Sequence, residues 1–189
     1  MCELDEFFQD NPITRKNYSF DAQSLLALED LDIPDDIVQF LKEQGYSTYR
    51  DDFLATTLPQ EHFQTLSEWG LDGDRCFTFL RTAFGSLCFC YTGKIFQLDP
   101  ISGYVYKGIF EFCDFMNMLV TMDAFMESNY FDVYQKIKKS PAIGYDEIYA
   151  LFPAIPLGGS FETSAYEVVK MREHLGFLAQ LFGNKAKVL

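Results

Sequence analysis

Residues 76–108 read "CFTFLRTAFGSLCFCYTGKIFQLDPISGYVYKG". Short aromatic and β-branched runs alternate here with turn residues, the pattern of strands joined by tight connections. The spacing predicts strands near Phe77–Ala83, Leu87–Tyr91, Lys94–Leu98 and Tyr104–Lys107, with turns at Phe84–Ser86, Thr92–Gly93 and Asp99–Gly103. Connections this short join antiparallel neighbours, because a parallel pair needs a long crossover. The centre of the chain is therefore expected to be an antiparallel sheet of about four strands.

Helical patterns flank this sheet. In "SFDAQSLLALED", Ser19 or Asp21 can cap a helix. In "IPDDIVQFLKEQG", Pro34 suits a helix start, and Asp35 and Asp36 complement its positive end. Ile37, Val38, Phe40 and Leu41 form one apolar stripe, and Gly45 can close the helix. "LPQEHFQTLSEWG" repeats the device, with Pro59 opening, Phe63, Leu66 and Trp69 facing inward and Gly70 stopping it. After the sheet, "FEFCDFMNMLVTMDAFMES" carries Met116, Met118, Met122 and Met126 at spacings that fit a buried helix better than an open groove. "FDVYQKIKKSP" and "YEVVKMREHLGFLAQLFGN" read as two more helices, the second closed by Gly183. The expected fold is α+β: N-terminal helices, a central antiparallel sheet of about four strands, and C-terminal helices packed on it.

Composition narrows the class. The chain has 189 residues, of which 48% are apolar and 17% aromatic, so it can bury a sizeable core. No apolar run reaches the length of a membrane span, and the acidic start "MCELDEFFQD" is unlike a secretory signal, so a cytoplasmic location is expected. The five cysteines are odd in number, and Cys88 and Cys90 alternate on a strand; reduced core thiols are expected, not a disulfide framework or a zinc site. No cofactor and no metal are expected.

Charge is unevenly spread. The formal net charge is −13, and residues 1–75 hold 17 Asp and Glu against 5 Lys and Arg. Such a surface repels nucleic-acid phosphates and attracts a basic protein, or else serves only as a solvated face. Gly85 to Lys94 lacks the spacing and the Ser/Thr of a phosphate loop and reads as a hairpin. His174 beside Leu175 reads as a core or capping histidine, and the adjacent Asp146 and Glu147 would diverge on a helix and form no acid–base pair.

"GYDEIYALFPAIPLGGS" at 144–160, followed by "KMREHLGFLAQLFG" at 170–183, resembles the C-terminal domain of type VI secretion immunity proteins. Asp146, Glu147, Tyr149, Phe152, Pro153, Leu157, Gly158, Gly159 and His174 carry the motif, and the resemblance gives them structural roles. Upstream, "IPDDIVQFLKEQGYSTYRDDFLATTLPQEHFQTLSEW" resembles the GAD-like domain that commonly precedes it, with Phe40-Leu41 where a Tyr-Trp pair is the pattern. The resemblance implies a GAD-like domain at 1–108 and an immunity domain at 109–189 sharing an interface. It implies a cytoplasmic, non-enzymatic protein that binds and neutralises a cognate secreted toxin, a nuclease in several family members, without touching nucleic acid or membrane. A cytoplasmic adaptor of similar fold, or an enzyme with a cryptic site, stands as the alternative.

The toxin-binding candidates are Asp30, Asp32, Asp35, Asp36, Asp51, Asp52, Asp72 and Asp74, with Tyr46 and Tyr49 as aromatic anchors. Charge reversal at Asp51 and Asp52 is expected to slow association and leave folding intact. The "LFPAIPLGG" segment reads as a clasp anchored in the core by Phe152, Ile155 and Leu157, with partner contact as its other reading.

Overall fold

The computed structural model describes residues 3–29, 31–108, 110–119 and 123–189. In chain order the elements are α1 (Asp5–Asp10), β1 (Ile13–Tyr18), α2 (Ala22–Glu29), α3 (Asp35–Gln44), β2 (Tyr46–Tyr49), β3 (Leu54–Thr56), α4 (Phe63–Glu68), β4 (Phe77–Thr82), β5 (Leu87–Tyr91), β6 (Lys94–Asp99), β7 (Tyr104–Lys107), α5 (Phe112–Asp114), α6 (Asp123–Ser128), α7 (Phe131–Ile137), β8 (Glu147–Leu151), β9 (Tyr166–Lys170), α8 (Met171–Leu181) and β10 (Lys187–Val188). A π-helical turn at Phe115–Leu119 continues α5.

The four expected strands are present as β4 to β7, with turns carried by the left-handed Gly85, Gly93 and Gly103. They are the middle of a larger sheet. Among the described residues it has eight strands in the order β1-β2-β3-β4-β5-β6-β7-β10, not about four. All neighbours are antiparallel except β10, which lies parallel to β7. β2, β3 and β10 are short, and β1, six residues long, carries Arg15 and Lys16 on an outer edge, so none shows the apolar alternation that marks a strand in sequence. A second, two-stranded ribbon pairs β8 with β9. The segment "YEVVK" is thus strand and not the first turn of a long helix, and its adjacent Val168 and Val169 suit that choice.

Every residue of β4 is buried, because the sheet is covered on both faces. One core joins Phe7, Phe40, Phe79, Phe84, Phe112 and Phe115 beneath α1, α3, α5 and the π turn. The other joins Trp69, Leu87, Phe89, Leu98, Leu175 and Leu178 beneath α4 and α8. Residues before and after position 108 therefore meet in both cores. Arg172 clamps α8 to α4 through two 2.7 Å hydrogen bonds to Glu68.

The helix readings hold at α3. Pro34 precedes it, Asp35 and Asp36 occupy its first turn, and Ile37, Phe40 and Leu41 are buried. Gly45 at φ 58° ends it. Met116 and Met126 lie in the core, while the side chains of Met118 and Met122 fall outside the described set. Cys76, Cys88 and Cys90 are buried free thiols; Cys113 is disulfide-bonded, so the expectation of reduced thiols does not extend to it. Among the described residues no helix is long and apolar enough to cross a membrane.

Candidate functional site

The acidic residues divide into two groups at opposite ends of the sheet. The register places Phe77, at the start of β4, opposite Cys90, and Thr82, at its end, opposite Leu54. Asp32 and Asp35 line an open cleft of about 460 Å³ at the Phe77 end, together with Arg75 and the Thr92–Gly93 turn. Asp72 and Asp74 are exposed on the turn that carries Arg75, and Asp72 pairs with that arginine at 3.5 Å. Asp36 is half-buried on α3. Asp30 lies outside the described residues.

Asp51 and Asp52 lie at the other end, in the β2–β3 turn, where Arg50, Asp51 and Asp52 all have positive φ. Asp52 accepts a 2.6 Å bond from Arg15 Nε and another from the Thr48 hydroxyl. Asp51 pairs with Lys138 at 2.9 Å, and that bond holds its carboxyl below the usual carboxylate range. Asp52 is therefore committed to the fold and is not a free contact, whereas Asp51 is 64% exposed in a surface pair. Asp52→Lys would place a cation against Arg15 and strand Thr48. It is expected to cost about 1–3 kcal/mol, read as a lower midpoint in a urea melt, while Asp74→Lys leaves that midpoint unchanged.

The two aromatic candidates also separate. Tyr49 is wholly buried between Phe7 and Phe8 and donates to Gln44 Oε1 at 3.0 Å, so its ring reaches no partner. Strand alternation turns it inward, which chain proximity to Asp51 does not reveal. Tyr46 is half-buried, donates to Glu61 Oε1 at 2.5 Å and packs edge-on against Tyr145.

The motif residues of the C-terminal region build a scaffold. Asp146 pairs with Lys170 at 2.7 Å, a bond that holds its carboxyl below the usual carboxylate range, and its carbonyl accepts from Met171 N–H at 2.8 Å. Glu147 accepts from Gly144 N–H at 2.7 Å. The buried Tyr149 accepts from Lys139 N–H at 2.8 Å through its hydroxyl. The Phe152–Pro153 bond is cis, and Gly158 is left-handed at φ 86°.

What anchors the Pro/Gly loop differs from the expectation. Leu151 and Ala154 are buried, Ile155 is half-buried, and Phe152 and Leu157 are 39% and 56% exposed. The short 3₁₀ turn at Ile155–Leu157 keeps Ile155 against the core, as expected, turns Leu157 outward and follows the small Ala154, which is seated in the second core. Phe161 and Phe177 are also exposed. Among the described residues, four of the nine exposed large apolar side chains thus belong to this loop and the adjoining face of α8. His174 is buried with its ring 5.5 Å from that of Phe152 and 6.0 Å from that of Phe177, and burial lowers its pKa. The cavity beside it is about 10 Å³, room for a water at most. No group of His, Cys, Asp and Glu among the described residues could hold a metal ion. The arrangement exposes apolar surface around a buried histidine. The sequence signal for it was the unusually apolar loop composition, which admits either an inward or an outward reading.

This region also decides the comparison with known proteins. Residues 110–182 match the family model of the T6SS immunity protein Tdi1, C-terminal. The matched stretch holds the β8–β9 ribbon, the Pro/Gly loop and α8, with the exposed aromatics upon it. It begins beyond the region read as GAD-like. The fold as a whole is similar to the crystal structure of Atu4351 from Agrobacterium tumefaciens, with a TM-score of 0.77 and 11% identity over 94% of this chain and 89% of that one. At that identity the likeness concerns the fold alone. No curated protein matches the chain in sequence.

Proposed function

We propose that this protein is a type VI secretion immunity protein that neutralises a cognate toxin by stoichiometric binding, without catalysis. The observation that carries the reading is the match of residues 110–182 to an immunity-protein family. Its location on a surface with exposed Phe152, Leu157, Phe161 and Phe177 supports a binding role. A nuclease with a basic surface is the partner best suited to a chain of net charge −13, and the bacterial cytoplasm is where such a toxin must be intercepted. In this reading residues 1–108 form a GAD-like part and residues 109–189 the immunity part. Phe152 and Phe177 serve as apolar anchors, and the exposed Asp32, Asp35, Asp72 and Asp74 contribute steering.

The test is co-expression with a candidate secreted toxin from the same bacterium, followed by copurification and survival. Joint replacement Phe152→Ser and Phe177→Ser is expected to weaken binding about 100-fold, as loss of two hot-spot residues does. The melting temperature should remain within a few degrees of wild type, since both rings are substantially exposed. Undiminished affinity would remove the aromatic ridge from the interface. Failure of the wild-type chain to bind or protect would remove the immunity reading itself.

A further inference from the structure

Arg81 on β4 is 4% exposed, and burial disfavours its charged form. A guanidinium nonetheless keeps its proton, so a buried one is normally paired with a carboxylate. Among the described residues, Arg81 makes no such pair. Its hydrogen bonds go to the neutral carbonyls of Tyr145 and Thr82, the latter at 3.5 Å, and its Nε has no partner. The Tyr145 ring lies 5.1 Å from the guanidinium carbon, and Glu61 and Asp146 act on it only through space.

Arg81 lines a cavity of about 30 Å³ together with Arg15, Thr48, Asp52, Gly144 and Tyr145. Arg15 stands at its rim, 41% exposed, and its Nε is spent on Asp52 at 2.6 Å. The Thr48 hydroxyl also donates to Asp52. Two guanidinium groups thus line the cavity against one carboxylate that is already engaged, an excess of one positive charge in its lining, which Glu61 and Asp146 offset only from a distance.

We propose that this cavity binds one compact monovalent anion of chloride size, held between Arg81 and Arg15. A single negative charge balances the site. The volume suits a body about the size of one or two waters and excludes bulky organic anions. Because Gly144 and Tyr145 belong to the segment joining α7 to β8, the bound anion ties that segment to the large sheet. The inference is independent of the toxin-binding reading.

The experiment uses the wild-type chain. Melts in sodium chloride are compared with melts in sodium isethionate at equal ionic strength, the larger anion being excluded by size. Chloride at tenfold saturation is expected to raise Tm by about 3–6 °C relative to isethionate, and the effect should saturate. Crystals soaked in sodium bromide should show an anomalous peak beside the Arg81 guanidinium. Arg81→Met should abolish the chloride-specific rise. If that variant does not fold, Arg15→Gln at the rim should shift saturation to higher chloride. Equal melts in the two salts, or a bromide soak with no peak at Arg81, would overturn the proposal and leave an ordered water as the occupant.

Discussion

Gly159→Val is expected to lower the melting temperature by about 6–12 °C, corresponding to about 3 kcal/mol or more. A Cβ at Gly159 would stand 1.9 Å from the Pro153 carbonyl oxygen, 2.9 Å from its carbon and 3.0 Å from the Ala154 carbon. All three are backbone atoms, so no side-chain rotation relieves the clash. The loop is curled tightly at this point: Leu157 and Gly159 both donate their N–H groups to the Ala154 carbonyl, at 2.8 and 3.1 Å. Opening it withdraws the buried Ala154 from the core that it shares with Leu175 and Leu178. Gly158 provides the internal comparison. It is left-handed, but a Cβ there meets nothing within 4 Å. Gly158→Ala therefore carries only backbone strain, about 1 kcal/mol and about 2–4 °C. Equal melting temperatures for the two variants would show that the clasp at Pro153 does not support the fold.

The second large effect is a loss of stability in mild acid, centred on His62. This side chain is 2% exposed, with Nε2 2.7 Å from the Thr57 hydroxyl. Burial, reinforced by the positive charges of Arg81 and Arg172, pushes its pKa down to about 3, from 6.5. Below pH 6.5 the unfolded chain takes up a proton that the folded chain refuses. Stability is therefore full above the unfolded pKa and falls as pH drops, by about 1.4 kcal/mol per pH unit in the limiting range. From pH 7 to pH 4.5 the loss from His62 is about 2–3 kcal/mol, and His174, also lowered by burial, adds in the same direction. The lowered carboxylates Asp51 and Asp146 are 64% and 67% exposed, and they begin to lose their stabilisation only at still lower pH. Urea melts at pH 7 and pH 4.5 should show a steep decline for wild type and a much shallower one for His62→Gln, which retains a hydrogen-bonding group without titrating in this range. Parallel declines would place the acid sensitivity elsewhere.

How far these features were legible depends on how local their causes are. Strands β5 and β7 match their sequence readings residue for residue, because the left-handed Gly93 and Gly103 mark the turns and the alternation is written in neighbouring side chains. β1 to β3 were not legible. "ITRKNY", "YSTY" and "LAT" carry too little apolar pattern, and they become strands by pairing outward from β4. β8 and β9 stabilise each other across a loop, so neither is marked strongly alone. The site followed the same rule. Motif residues such as Asp146, Gly159 and His174 stood out as a group, and the buried position of His174 was read from its apolar neighbour, yet the pairing of Asp146 with Lys170 was not.

The sequence by itself determined the uneven charge, the capped and striped α3, the hairpins of the central sheet and the need for glycine in the Pro/Gly loop. Each of these arises within a few residues of chain, through backbone conformation or side-chain periodicity. Only the tertiary structure decided which acids find cationic partners. Asp52 meets Arg15 across 37 residues and Asp51 meets Lys138 across 87. It likewise turned Tyr49 inward and Phe152 outward, and left Arg81 buried beside a cavity with no carboxylate paired to it among the described residues. Charge pairing and burial are set by long-range contacts, which depend on where the sheet brings distant segments together and not on what stands beside each residue in the chain.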